Sequence, residues 1–164
     1  MTELQRTKRN EEKLLELFPA FRKRLTKVII ELEHMGLRPR IQDGYRSSAD
    51  QLKAFNNGHS KLRYGFHNVT GLNGVKESLA VDLLDDDKPL NMSVSYLLKI
   101  AFVCEKNGLE TGIRWGLPNQ LKEAINNALE AKNFDAPIKV GWDPTHIQPK
   151  GITVAEAKKG KRPD

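Results

Sequence analysis

Four residues of the sequence have the side chains that bind divalent metal ions and activate water. They are His67 and Asp82 in one segment, and Asp143 and His146 in a second segment far downstream. Two histidines and one aspartate would give three protein ligands and leave a fourth tetrahedral position for water, as in catalytic zinc sites. The remaining carboxylate, Asp143, would then be the general base for that water.

Each of these residues alone has a plainer interpretation. A histidine near a turn is more often a surface or packing residue than a metal ligand, and Asp82 could be a turn or capping carboxylate. The metal hypothesis therefore requires elements that bring the four side chains together.

A hairpin is predicted to join the first pair. Asn73-Gly74 favours a two-residue type I′ turn, because both central residues of that turn need a positive φ. If the two residues flanking this turn pair, His67 lies diagonal to Asp82 on one face of the strands. Diagonal residues stand about 7–8 Å apart, which is close enough for both side chains to hold one ion.

A strand is predicted to lead into the second pair. Apolar residues alternate with Lys139 and Gly141 over residues 138–142, a period of two that indicates a strand with one buried face. Asp143 and His146 would lie at its end, near Pro144, where a turn can direct both side chains to a common point.

Other patterns predict the elements that surround these segments. Apolar stripes indicate helices over residues 10–35, divided at Pro19, over 93–107, and from Pro118 onward. Short strands are predicted over 37–42, at a sheet edge because of Pro39, and over 109–115. Helices and strands mix without regular alternation, so we expect an α+β fold with a small, mainly antiparallel sheet packed against helices.

Arg46 lies beside Tyr45, just before a short helix in which Ser48 and Gln51 could form a capping box. This position suits bidentate binding of a carboxylate or an oxyanion. A surface salt bridge is an equally open alternative for Arg46. His59, in the following polar loop, is the next candidate ligand if His67 is not one.

The length and net charge of the chain limit the classes of protein to which it could belong, but they do not identify one class. The 164 residues suffice for one domain with a core, and the single cysteine, Cys104, permits no internal disulfide. We predict a domain over residues 1–148 and a frayed basic tail over 149–164. A net charge of +6 favours an anionic partner, which could be nucleic acid, a lipid surface or a bacterial cell wall. The charged N-terminal segment does not resemble a signal peptide, so synthesis in the cytoplasm is expected.

Five short motifs, taken in order, resemble those of the zinc-dependent D-alanyl-D-alanine carboxypeptidases and L-alanyl-D-glutamate peptidases. These enzymes cut peptidoglycan stem peptides and share a fold with the Hedgehog signalling domain. The resemblance covers residues 41–148, but Ser78 stands in place of a family glycine and a whole helix separates the last two motifs. The motifs are Gly44-Tyr45-Arg46-Ser47 with Gln51, then His67, Leu79-Ala80-Val81-Asp82-Leu83, Ile113-Arg114-Trp115-Gly116 and Trp142-Asp143-Pro144-Thr145-His146-Ile147-Gln148.

The resemblance implies roles for particular residues within a single peptidase domain. The implied zinc ligands are His67, Asp82 and His146. The implied catalytic residues are Asp143, as general base, and Arg46, which would hold a substrate carboxylate or stabilise the oxyanion. The implied substrate-binding residues are Arg46, Tyr45, Gln51 and Trp115.

The resemblance also implies a function: cleavage of peptidoglycan between L-alanine and D-glutamate. The compact, basic chain without a recognisable signal peptide favours a phage endolysin, expected to be a monomer, that reaches the cell wall after release or export. A D-alanyl-D-alanine carboxypeptidase and a secreted cell-wall-degrading effector are the alternatives within this class. From another class, the chain could be a non-catalytic zinc-containing module or a nucleic-acid binder. Binding of nucleic acid is disfavoured because aromatic residues form only 7% of the chain and most lie on apolar stripes.

Overall fold

The computed structural model describes residues 1–164, which form a four-stranded sheet and six α-helices. Neighbouring strands are antiparallel, and their order across the sheet is β1-β2-β4-β3. The predicted α+β class is therefore confirmed. The strands are β1 (Pro39–Asp43), β2 (Val81–Asp85), β3 (Leu109–Gly112) and β4 (Asp143–Pro149).

Helices pack against this sheet around a single apolar core. α2 packs against α4 and β1, α4 packs against β3 and β4, and α1 lies along β1. No helix has both the length and the apolar character needed to cross a membrane. The helices are α1 (Glu3–Leu14), α2 (Pro19–His34), α3 (Ser48–Asn56), α4 (Val94–Lys106), α5 (Asn119–Glu130) and α6 (Val154–Lys158).

Alternation along the two central strands separates the core from the opposite face of the sheet. Val81 and Leu83 on β2 and Ile147 on β4 are fully buried in the apolar core. Because successive strand residues point to opposite faces, the intervening Asp82 and His146 face away from the core. The sheet thus presents polar side chains on the face that the helices leave open.

The first helix differs from the prediction in where it begins, whereas the second begins at Pro19, as predicted. α1 starts at Glu3, capped by the Thr2 side chain, and is separate from α2. Its buried residues are polar: the side chains of Arg6 and Asn10 both donate hydrogen bonds to the Pro39 carbonyl. A helix that docks through hydrogen bonds leaves no apolar stripe, so apolar periodicity could not indicate it.

Several other boundaries can be compared directly with the predictions. β1 is an edge strand and α5 begins directly after Pro118, both as predicted. Cys104 is fully buried in α4. The predicted capping box at Ser48 is wrong, because the cap of α3 is Ser47, whose hydroxyl accepts from the Asp50 amide. The predicted strand over 109–115 ends earlier, at the end of β3.

The predicted hairpin has the right turn and the wrong register. Asn73 and Gly74 do have positive φ angles, of 59° and 74°. The main chain pairs Thr70 with Lys76, one residue out of the predicted register, and no ladder continues to His67. His67 lies instead in a 3-10 turn, Phe66–Asn68, while β2 pairs with β1 and β4. The hairpin therefore does not bring the two ligand candidates together.

The predicted strand over 138–142 is absent, and β4 begins where that strand was expected to end. The burial alternation is present, with Ile138 and Val140 half-buried, but it reverses at Gly141, which is buried, and Trp142, which is 47% exposed. A Cβ on Gly141 would lie 2.5 Å from the Trp115 amide nitrogen, so this residue fits the position only because it has no side chain.

The C-terminal residues are ordered against the rest of the fold, so the expectation of a frayed tail is wrong. Ile152, just before α6, and Ala157, within α6, belong to the apolar core. Beyond α6, the Arg162 Nε donates a 2.7 Å hydrogen bond to the Glu77 carboxylate. The many lysines of this segment gave it the composition of a tail and hid its few core residues.

Candidate metal centre and active site

A cleft of about 480 Å³ lies on the open face of the sheet, over β2 and β4. Its floor includes Asp82 and His146, and His67 enters from the 3-10 turn. Asp143, Arg46, Gln51 and Trp115 also line this cleft. The fold thus places seven of the eight predicted site residues around one cavity.

Three of these side chains form a compact cluster of ligand atoms. His67 Nε2 lies 3.5 Å from one oxygen of Asp82, and His146 Nδ1 lies 3.7 Å from the other. One ligand atom from each residue falls within 4.8 Å of the other two, the spacing of a group that could hold a metal ion. Asp82 and His146 are directly paired residues of β2 and β4, so the sheet register sets their separation.

The orientation of His67 leaves its metal-facing nitrogen free. Its Nδ1 lies 2.7 Å from the Gly44 carbonyl, which can only accept a hydrogen bond. Nδ1 therefore carries the proton, and the lone pair of the neutral ring is on Nε2, facing Asp82. The hydroxyl of Ser78, fully buried, lies 3.2 Å from the same carbonyl and helps to hold it in place.

His146 is oriented by the corresponding arrangement on its other side. Its Nε2 lies 2.9 Å from the amide oxygen of Gln148, which accepts the hydrogen bond and leaves Nδ1 facing Asp82. Metal-ligating histidines usually donate their second ring nitrogen to a carbonyl or carboxylate in this way. Both histidines thus have the tautomer that a ligand to a shared ion requires.

The electrostatics of the cluster favour a cation. Burial lowers the pKa of His67 and keeps its ring neutral. Burial also acts to lower the pKa of His146, but the negative charges of Asp82 and Asp143 outweigh this and raise the pKa. The pKa of Asp82 lies below its usual value, because the neighbouring histidines and Arg46 outweigh the effect of burial. When His146 is neutral, its lone pair and that of His67 adjoin an ionised carboxylate, a donor set suited to zinc and other divalent ions.

Asp143 lies beside the cluster without belonging to it. Its carboxylate is 3.9 Å from His146 Nδ1 and is partly exposed to the cleft. Burial, and then the negative charge of Asp82, raise the pKa of Asp143 to about 6. A carboxyl group with a pKa near neutrality can both accept and return a proton under physiological conditions.

Arg46 lines the cleft, and both terminal nitrogens of its guanidinium donate hydrogen bonds to other side chains. It pairs with Asp43 at 2.9 Å and donates to the Gln51 amide oxygen at 2.9 Å, while Asp82 lies 3.8 Å away. The salt bridge left open by the sequence is present, and the side chain also lines the cleft.

The other predicted substrate-binding residues lie in different surroundings. Gln51 is 2% exposed, and its amide nitrogen donates to Ser60 and to the Leu62 carbonyl, so it holds the cleft wall in place. The Trp115 ring packs 5.2 Å from the His146 ring. Tyr45 is absent from the cleft lining, and its ring lies near Lys76 Nζ instead.

Sequence reasoning missed part of the cleft wall. Lys61 lines the cleft with its Nζ 4.3 Å from the ring centre of Trp142, and His59 lies nearby. His59 is not a member of the ligand cluster. The only sequence signal for this wall was the position of Trp142 next to Asp143, because the loop over residues 58–62 has no periodic pattern.

A search of known proteins finds similarity at the level of the fold. No family model matches the chain, and no curated protein matches it. Among solved structures, the fold is similar to that of the L-Ala D-Glu endopeptidase ChiX of Serratia marcescens. The TM-score is 0.55 with 19% sequence identity, over 91% of this chain and 94% of that chain. At this identity the likeness establishes a shared fold, and it confirms the predicted peptidase-like α+β architecture.

Proposed function

We propose that the protein is a zinc-dependent peptidase that cleaves peptidoglycan stem peptides, and that it cuts between L-alanine and D-glutamate. The observation that carries the proposal is the cluster of His67, Asp82 and His146, in which both imidazole lone pairs face one carboxylate. The ordered sequence motifs and the fold shared with an L-Ala D-Glu endopeptidase support the choice of substrate.

The side chains around the cluster have matching roles in hydrolysis. Zn²⁺ held by the three ligands would supply a Lewis acid that polarises the scissile carbonyl and makes water more acidic. Asp143 takes the proton from the attacking water and returns it to the leaving amine. Arg46 directs positive charge into the cleft, where it stabilises the developing oxyanion or a substrate carboxylate. The Trp115 ring, packed against His146, gives the site an apolar wall.

The test is metal analysis combined with digestion of purified peptidoglycan. We expect about one zinc ion per chain, by the three-ligand stoichiometry of catalytic sites, and fragments with a new D-glutamate amino terminus. His67→Ala should lose both zinc and activity, because it removes one ligand. Release of free D-alanine would instead identify the carboxypeptidase alternative. Bound zinc without any product would identify a non-catalytic module, and DNA affinity that falls steeply with salt would identify a nucleic-acid binder.

The biological setting is a further part of the proposal. A net charge of +6 supports action on an anionic cell wall, and we propose a monomeric phage endolysin. Added to cells with a permeabilised outer membrane, the protein should clear the suspension, and Asp143→Asn should not. Light scattering in solution would test the monomer.

A further inference from the structure

A chain of two hydrogen bonds leads from the candidate ligand His146 to a carboxylate outside the cleft. His146 Nε2 contacts the amide oxygen of Gln148 at 2.9 Å, and the amide nitrogen of Gln148 donates to Glu110 Oε1 at 2.9 Å. A carboxylate can only accept, so Glu110 determines which end of the Gln148 amide faces it. The amide oxygen is thereby left to accept from His146, and the proton of the imidazole must be on Nε2.

The sheet itself builds this chain. His146 and Gln148 are two residues apart on β4 and share a face, and Glu110 is the residue of β3 directly paired with Gln148. The positions of all three side chains follow from strand register and do not depend on a loop. Such a chain is pre-organised, so little ordering is needed when a ligand binds.

Glu110 makes no direct ion pair, although Lys122 and Lys150 line the same polar cavity. Glu110 lines a second, polar cavity of about 490 Å³, behind Trp115. In that cavity Arg114 pairs with Glu105 at 2.8 Å, whereas Glu110 forms no ion pair. Its hydrogen bond is with the Gln148 amide, through which it acts on His146.

We propose that Glu110 and Gln148 are positioning residues that hold His146 in its ligand tautomer and strengthen metal binding. The inference rests on the proposed metal site and adds two residues outside its ligand set. A carboxylate at the far end of the chain favours the proton on Nε2 and increases the electron density at Nδ1, the nitrogen that faces Asp82. Removing partners of this kind typically lowers metal affinity about 10–100-fold.

The experiment compares zinc affinity in three full-length variants by competition with a chromophoric chelator. Glu110→Ala should raise the zinc dissociation constant about 10-fold or more, and Glu110→Gln should have a smaller effect because its amide oxygen can still accept. Glu105→Gln is the matched control: it lines the same cavity, has no contact with Gln148, and should bind zinc as the wild type does.

Two further readouts separate positioning from general stability. The metal-free forms of Glu110→Gln and Glu105→Gln should unfold at similar temperatures, and the absorption spectrum of bound Co²⁺ should change only in the Glu110 variants. Wild-type affinity in Glu110→Ala would overturn this inference alone. A wild-type protein that binds no zinc would overturn the proposed function and this inference with it.

Discussion

The pKa values of two carboxylates in the same cleft are shifted in opposite directions by their surroundings. Asp82 lies between two histidines, which hold its pKa below the usual value and keep it ionised. Asp143 is desolvated and faces the charge of Asp82, so its pKa rises to about 6. Paired groups whose pKa values are pushed apart commonly divide into a permanent anion and a proton carrier. This division supports Asp82 as a ligand and Asp143 as the base.

The first prediction separates these two roles. Asp143→Asn keeps the shape of the side chain but cannot accept a proton, so we expect turnover of peptidoglycan fragments to fall about 10²–10⁴-fold. Zinc content should stay at the wild-type level, because Asp143 is outside the ligand cluster. Mass spectrometry of released fragments and metal analysis on one preparation would measure both.

Asp135→Asn is the matched control for that change, because Asp135 is an exposed aspartate in the loop before β4. It should leave both turnover and zinc content unchanged. Wild-type turnover in Asp143→Asn would remove Asp143 from the mechanism.

Residue types could be predicted from the sequence, but their orientations could not. The pair Asp143 and His146 was visible because both residues lie within one short segment. The tautomer of His67 depends on the Gly44 carbonyl, 23 residues away, and no local pattern reports such a contact. Tyr45 shows the same limit, since it neighbours Arg46 in sequence and yet lies outside the cleft lining.

At the scale of elements, the sequence indicated local turns and helices better than strand pairing. Asn73 and Gly74 adopt the predicted turn conformation because that preference is local. The pairing of Asp82 with His146 joins strands far apart in the chain, and its register depends on the whole hydrophobic pattern of the sheet. Likewise, the alternation over residues 138–142 indicated that one side of the segment is buried. It could not indicate whether a neighbouring strand forms hydrogen bonds with the segment.

The second prediction concerns the segment that leads into β4. An alanine Cβ at Gly141 would lie 2.5 Å from the Trp115 amide nitrogen and 2.6 Å from its carbonyl oxygen. Backbone atoms cannot move aside cheaply, so Gly141→Ala should lower the free energy of unfolding by about 1–3 kcal/mol, the usual cost of overpacking. Urea unfolding monitored by tryptophan fluorescence would measure the change.

Gly65→Ala provides the comparison for this effect. Gly65 has an extended backbone, and its added Cβ would meet only the Leu62 side chain, at an ordinary contact distance of 3.6 Å. Its stability should therefore stay close to that of the wild type. If Gly141→Ala were equally stable, the close approach to Trp115 would not be a constraint in solution.

At the scale of the whole molecule, the open face of the sheet assembles a site from distant parts of the chain. His67 comes from a 3-10 turn, Asp82 from β2 and His146 from β4. An ion bound to all three stabilises the folded state over the unfolded chain, in which the ligands are dispersed.

The third prediction follows from this linkage. With free zinc at about 100 times its dissociation constant, the folded state gains about 2.7 kcal/mol, which corresponds to a rise in Tm of about 5–11 °C for a chain of this size. Thermal unfolding with zinc and with a chelator would measure the difference. His67→Ala should show little or no shift, and equal midpoints for the wild type in both conditions would contradict a three-ligand site.

The join between β2 and β4 is short, with two residue pairs in register, Val81 with Ile147 and Asp82 with His146. This join holds the half of the sheet made by β1 and β2 to the half made by β4 and β3. A metal ion held by Asp82 and His146 would cross-link β2 and β4, the two neighbouring strands that share the fewest residue pairs. Under a mechanical load that pulls the halves apart, we expect the metal-bound form to require a larger force than the metal-free form.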